Sequence, residues 1–455
     1  MTRAFPTPRL RLALALYAAL WVLGLPLLLI YLWRRARKDP DYCRHLGERF
    51  GRYPDPVRDT VWIHAVSIGE LRSAIPLIRA LLDRGERVVV TQFTPAGRRE
   101  TMRVFASEIA AGRLRSVWVP FEYGWTFRRF FHAFRPKYGL VMEIEIWPRM
   151  IMAARAAGIP LFMCNAQYPS KSYTRDTTST PMRAELMRGF SGALVKSALQ
   201  RDRFASVGVE DIVVTGELRF AQPIPEDQVA AGLAARARFA PHRRVITIAS
   251  AVAGEDGLYL DTIREIRARY ESDGLPAPLF VYVPRAPERF DEVSDMLDAA
   301  GFSVLRRSQA FDGGLAPLGD PAAPDILLGD SLGEMTFYLA MADTVVVGGG
   351  FTPKGSHNIT EALALQKPAI VGPEIWTIEY PAEEAIAAGV CRRVTPEHLA
   401  SELTPDVPEP APEAIRAFLD AHAGAVEKTL AAIPRLIEGA HDTPASLEPK
   451  VSSGG

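Results

Sequence analysis

Short apolar runs alternate along this chain with longer segments of helical spacing. Val61-Trp62-Ile63-His64-Ala65-Val66 is an apolar run of the kind shown by a strand covered on both faces. Leu71 to Leu82 then carries its apolar positions at helical spacing. Val88-Val89-Val90-Thr91 predicts a second strand, and Thr94-Pro95-Ala96-Gly97 opens another helix, with Thr94 as its cap and Pro95 in its first turn. Further strands are predicted at Gly139-Leu140-Val141-Met142, Pro160-Leu161-Phe162-Met163-Cys164 and Gly192-Ala193-Leu194-Val195. A second series begins at Arg244-Val245-Ile246-Thr247-Ile248 and continues through 279–283, 326–328, 344–347 and 369–371. Strands that alternate with helices in this way predict parallel sheets wrapped by helices.

The stretch 221–242 is proline-rich and polar at its edges and reads as an interdomain connection with a helical stretch inside. It divides the chain into two Rossmann-like α/β domains, 39–220 and 243–400, with a cleft expected between them. A last helix is predicted over 411–438, and the polar tail 440–455 is expected to be disordered. Leu12 to Trp33 contains no charged residue and is long enough to cross a bilayer core of about 30 Å. Tyr17, Trp21, Tyr31 and Trp33 are candidate interfacial aromatics, and Pro26 is tolerable in a membrane helix. A cleaved signal peptide would have a shorter apolar region followed by small residues; here Arg34-Arg35-Ala36-Arg37-Lys38 follows. That cluster is denser than Arg3, Arg9 and Arg11 on the other side, so a single-pass anchor with the main body in the cytoplasm is expected. The basic stretch from Asp39 to Phe50 reads either as a helix on the membrane surface or as a solvated one.

Charge and cysteine usage narrow the classes. Lys plus Arg number 53 and Asp plus Glu 53, so the net charge is zero and a nucleic-acid partner is not expected. Cys43, Cys164 and Cys391 fit neither a disulfide framework nor a zinc site, and a reducing compartment is the simple reading. There is no Cys/His metal spacing, no P-loop Gly-Lys-Ser/Thr and no Gly-x-Ser-x-Gly elbow.

In open parallel sheets ligands bind outside the carboxyl ends of the strands, and several unusual residues fall there. In His64-Ala65-Val66-Ser67-Ile68-Gly69-Glu70 a strand enters a glycine turn and Glu70 opens the next helix. A carboxylate there would be kept ionised by the helix dipole and could accept a proton from a hydroxyl, although a capping glutamate has the same spacing. Glu143-Ile144-Glu145-Ile146-Trp147-Pro148 puts two acids directly after an apolar strand, on one side if the strand continues. Buried like charges usually have a partner or a task; a surface turn with incidental acids is the alternative. Gly348-Gly349-Gly350 permits close backbone approach to a phosphate, Lys354 adds a positive charge, and Asn358 and Glu361 lie one helical turn apart. Gly329-Asp330-Ser331-Leu332-Gly333-Glu334 and Pro284-Arg285 offer amides and a cation at two further strand ends, where ordinary loop chemistry is equally compatible.

Taken in order, WIHAVSIGE at 62–70, EIEIWP at 143–148, GELRF at 216–220, VPRAPERF at 283–290, GDSLGEM at 329–335 and GGGFTPKGSHNITEA at 348–362 resemble the 3-deoxy-D-manno-octulosonic acid (Kdo) transferase family. The anchor and Glu48-Arg49-Phe50-Gly51 are similar to it as well. The resemblance implies a GT-B fold of two Rossmann-like domains, the second binding the CMP-sugar donor CMP-Kdo. It implies transfer to a lipid A precursor in lipopolysaccharide biosynthesis at the inner membrane, with inversion of configuration and no bound metal or cofactor. By position it implies Glu70 as general base and Glu143 as the acid at the reaction centre, with Arg219 where the family usually has lysine. Pro284, Arg285, Leu332, Gly333, Glu334, Asn358, Ile359, Thr360 and Glu361 match positions that hold CMP. The chain departs from the family at Gln167, which replaces an arginine, at Ala251-Val252, which replaces threonine-histidine, and at Arg149 and Ala221. These departures keep two alternatives open: a related CMP-sugar transferase with another sugar acid or acceptor, and a non-catalytic CMP-binding membrane paralogue.

Overall fold

Among the described residues fourteen strands form two parallel sheets, and nearly all of the central strands are buried on both faces, as their uninterrupted apolar runs require. The computed structural model describes residues 5–179 and 181–442. The chain divides into two compact units, one of residues 1–222 with 424–455 and one of residues 223–423.

In the first unit the strands are β1 (Thr60–His64), β2 (Arg87–Gln92), β3 (Leu114–Trp118), β4 (Tyr138–Met142), β5 (Leu161–Ala166), β6 (Gly192–Val195) and β7 (Ile212–Val214). Their order is β3-β2-β1-β4-β5-β6-β7, so the direction of winding reverses between β1 and β4. The crevice outside that switch point is where such a sheet takes its ligand. Thr94 caps the helix Pro95–Val104 as the sequence predicts.

In the second unit the strands are β8 (Val245–Ala251), β9 (Leu279–Pro284), β10 (Val304–Arg306), β11 (Ile326–Leu328), β12 (Thr344–Val347), β13 (Ala369–Val371) and β14 (Cys391–Arg393). The order β10-β11-β9-β8-β12-β13-β14 reverses between β8 and β12. β8 carries a bulge, with Ser250 in the left-handed region at φ 60°.

Three boundaries differ from the sequence reading. Much of the supposed connection 221–242 is the helix Glu226–Phe239, which packs on the helix Met335–Met341 and ties down through Arg236, donating to the Met341 carbonyl and pairing with Asp343. It therefore belongs to the second unit. The single helix expected over 411–438 is two, Pro412–His422 and Ala425–Asp442, broken where Gly424 takes φ 80°. The latter buries Val426, Leu430, Ile433 and Leu436 in the core of the first unit, so the chain returns to the unit it began in. The stretch 39–50 forms no continuous helix: His45 takes φ 55°, and Glu48 and Arg49 are buried, Glu48 paired with Arg98. Of the tail expected to be disordered, residues from 443 on lie outside the described set.

The helix Pro8–Ala36 has 29 residues and is the one described helix long and apolar enough to cross a membrane. Its first half is docked on the first unit. Thr7 donates through its amide and hydroxyl to Glu185, Tyr17 donates to Glu122, and Arg149 donates to the Leu14 carbonyl.

Candidate functional site

Glu70 stands in the crevice of the first sheet because a cap puts it there. Ser67 caps the helix Ile68–Asp83, its hydroxyl accepting from the Glu70 amide at 3.2 Å. The Glu70 carboxyl in turn accepts from the Ser67 hydroxyl at 2.8 Å and from the Val66 amide at 2.9 Å. This reciprocal arrangement is a capping box. It starts the helix one residue before Gly69, so no glycine turn precedes it. The capping role weighed in the sequence reading is thus real, and it fixes both carboxyl oxygens.

The expectation that the helix dipole keeps Glu70 ionised does not hold. Glu70 is 7% exposed, and burial, then Glu143 and Glu145, raise its pKa to about 8. The hydrogen bonds from the Ser67 hydroxyl and the Val66 amide oppose this but do not outweigh a buried site with two neighbouring carboxylates. A proton acceptor with a pKa near the working pH is well matched to general-base chemistry.

β4 ends at Met142, and Glu143 takes φ 57°, so the strand does not continue and alternation no longer decides where Glu143 and Glu145 point. A left-handed non-glycine residue at a ligand crevice is the kind of strain that functional loops hold. Arg219 joins the two acidic elements: it donates to Glu143 at 3.2 Å and to the Ser73 hydroxyl, one turn along from Glu70, at 2.7 Å. Glu70, Glu143 and Arg219 therefore form one cluster. Glu145 is engaged by the Trp147 indole at 2.7 Å.

Beneath this cluster lies a pair not singled out from the sequence. Lys196, at the end of β6, meets Glu217 at 2.8 Å, and both are almost fully buried. Glu217 also accepts from the Asn165 side chain at 2.9 Å and from the Arg219 amide at 3.2 Å. Burial alone would push the Glu217 carboxyl up; Lys196, then Arg219, outweigh it and hold it at about 2. Glu217 lies inside the GELRF motif, but its partner is distant in sequence, so the motif alone does not reveal the pair.

In the second unit the residues expected to hold CMP sit at neighbouring strand ends. Pro284 ends β9 and Arg285 is exposed beside it. Leu332 and Gly333 are exposed after β11, with the Glu334 carboxylate held by Arg307 and Ser331. That leaves the backbone of 332–334, rather than the Glu334 side chain, as the group open to a ligand. The Asn358 carbonyl oxygen caps Thr360 at 2.9 Å, and its amide meets Glu361 at 3.5 Å, so Asn358 and Glu361 do share one face around buried Ile359. Burial, then Arg285 and Lys354, depress His357 to about 4, so it is neutral at pH 7 amid two cations.

The glycine run serves a different purpose from the one its sequence suggests. A Cβ at Gly348 would strike the Ser250 carbonyl, and one at Gly349 the Gly355 carbonyl. The room is filled by the chain itself. Buried Glu255 then takes the amides of Gly349 at 2.7 Å, Phe351 at 3.1 Å and Val252 at 3.1 Å, binding the end of β12 to the end of β8. Those amides are not available to a phosphate. Glu255→Ala would orphan three amides and is expected to cost about 3 kcal/mol, read by denaturant unfolding; a variant that unfolds with wild type would show that other acceptors replace Glu255.

Residues 44–222 match the family model described as 3-deoxy-D-manno-octulosonic-acid transferase (kdotransferase). A 3-deoxy-D-manno-octulosonic acid transferase of Bordetella pertussis is 38% identical over 420 residues, covering 90% of this chain and 96% of the relative. The chain belongs to the Kdo transferase family. A Kdo transferase of Haemophilus influenzae is 28% identical over 80% of this chain and 83% of its own length. A solved glycosyltransferase of Rickettsia africae, 11% identical, matches 86% of this chain and 100% of its own at a TM-score of 0.54, which supports the GT-B fold. As a Kdo transferase the chain is a glycosyltransferase, with two seven-stranded parallel sheets and an N-terminal helix able to span a membrane.

Proposed function

We propose that this Kdo transferase moves Kdo from CMP-Kdo to a hydroxyl of a lipid A precursor by a single inverting displacement in which Glu70 is the general base. The observation that carries the reading is the buried Glu70 carboxyl, set at the β1/β4 switch point and raised to about 8 beside Glu143 and Arg219. As the acceptor oxygen bonds to the anomeric carbon, its proton passes to Glu70. The bond from that carbon to the phosphate oxygen breaks, and CMP leaves with the electron pair. Arg285 and Lys354 supply positive charge for the phosphate, and the amides of 332–334 and the Asn358–Glu361 face suit the rest of the nucleotide. The step requires no metal or cofactor. The basic cluster at the end of the helix Pro8–Ala36 favours a protein held at the inner membrane with its catalytic units on the cytoplasmic face.

Membranes carrying the full chain, given CMP-Kdo and a lipid A precursor, are expected to release CMP and yield a Kdo-bearing lipid. Absence of both products would sink the reading. Gln167, in place of the usual arginine, favours one second reading, another sugar acid or acceptor, which a screen of CMP-sugars and acceptors would reveal.

A further inference from the structure

The helix Gly124–Phe134 turns Phe127, Phe130, Phe131 and Phe134 into the core of the first unit. Its opposite face carries Trp125, Arg128, Arg129 and His132 at spacings of three and four, and the helix contains no acidic residue. Beside that face lies a hollow of about 400 Å³ lined by Gly51, Tyr53, Trp125, Arg128, Arg129 and His132. Among the described residues neither arginine has a carboxylate partner; Arg129 donates to the Phe50 carbonyl at 3.4 Å and lies over the Trp125 ring at 4.8 Å. The Tyr53 ring packs beneath it on Phe130 and Phe134, and its hydroxyl is buried in the interior. Cations gathered on one face without counter-charges suit an anionic oxygen ligand.

The neighbouring anchor says where that ligand comes from. The Tyr123 hydroxyl donates to the Trp21 carbonyl at 2.8 Å, and the Trp21 and Tyr123 rings meet edge to face at 5.8 Å. Tyr123 stacks near Trp125 at 6.0 Å, and Trp125 is 38% exposed. One aromatic step thus separates the helix Pro8–Ala36 from the hollow. On the far side of that helix Leu12, Leu16, Leu20, Leu23 and Leu27 form an exposed stripe. A helix docked along its first half cannot be surrounded by lipid there, so the flank it docks on is held at the bilayer. Arginines beside interfacial aromatics at that level face lipid headgroups.

We propose that this hollow seats the phosphate of an anionic membrane lipid, gripped by Arg128, Arg129 and His132. The proposal rests on the membrane placement of the anchor and not on the transfer reaction. It is tested by native mass spectrometry of the full chain released from detergent micelles containing phosphatidylglycerol or phosphatidylcholine. Wild type is expected to retain phosphatidylglycerol several-fold more than phosphatidylcholine, and R128Q/R129Q/H132Q to lose that preference. Circular dichroism is expected to show the triple variant folded as wild type. A triple variant that holds phosphatidylglycerol as wild type does, or a wild type without preference, would overturn the proposal. So would displacement of the lipid by an equal concentration of inorganic phosphate, which would mark a plain anion site. Because retention is read without turnover, a failed transfer assay leaves this result standing, and the converse holds.

Discussion

Glu70→Gln is expected to lower kcat by about 10³-fold, within the range that a positioned general base contributes, and to leave the donor KM within a few-fold. Glutamine keeps the length of the side chain and one oxygen to accept the Val66 amide, but it cannot take the acceptor's proton. Glu70→Ala would lose the capping box as well, at a further cost of about 1 kcal/mol in stability, so the two variants separate catalysis from the cap. The wild-type pH profile carries an independent signature. With Glu70 raised to about 8, the competent carboxylate is scarce at pH 6, and kcat/KM should climb with pH and level off above about 8. Glu143 is the next cause of the shift after burial, so Glu143→Gln should move that limb to lower pH even if it slows the enzyme. The stability sign follows. A carboxyl raised in the fold contributes stability that is present below its unfolded value and is lost as pH rises through the folded value near 8. Glu70→Gln should therefore lack the wild type's loss of stability on the way to pH 8. Unchanged turnover in Glu70→Gln, or a limb that ignores both substitutions, would remove Glu70 from the mechanism.

What was legible in the sequence was whatever depends on near neighbours. Val88 to Thr91 and Thr344 to Val347 read as strands because a parallel strand covered on both faces must be apolar throughout. Thr94-Pro95 read as a helix start because the cap acts within three residues. The charge state of Glu70 was not legible, since burial and the carboxylates of Glu143 and Glu145 arrive from β4. Gly348 and Gly349 were open to misreading for the same reason. The groups that exclude a side chain there are carbonyls of Ser250 and Gly355, and the groups that occupy the amides belong to Glu255. The 221–242 stretch looked like a connection because its edges are proline-rich, yet Gly232 lies against the Phe337 carbonyl and Ala340, which only the folded unit supplies. In each case the missing information was a partner far along the chain.

The same logic governs the largest expected effect on stability, at Lys196. Lys196→Met keeps the stem of the side chain and removes the charge that meets Glu217 at 2.8 Å. Removing one member of a buried pair leaves an uncompensated charge and costs about 3–5 kcal/mol, a fall in melting temperature on the order of 10 °C. The pH dependence should reverse as well. In the wild type Glu217 is held at about 2, so its contribution is present above the ordinary carboxylate range and is lost as pH falls toward 2. Without Lys196 the burial that now opposes this becomes the larger influence, the carboxyl rises above its unfolded value, and the variant should gain stability as pH falls from 7 to 5. Lys196→Met/Glu217→Met removes both charges and should recover much of the loss, because two apolar side chains in this space leave no charge unpaired. Yet the double variant should remain slow, since Glu217 also accepts from the Arg219 amide and so sets the arginine that reaches Glu143. Thermal melts of the three proteins between pH 5 and 8, with turnover measured on each, check this. A single variant as stable as wild type, or a double variant that regains full activity, would mean the pair neither supports the fold nor orients Arg219.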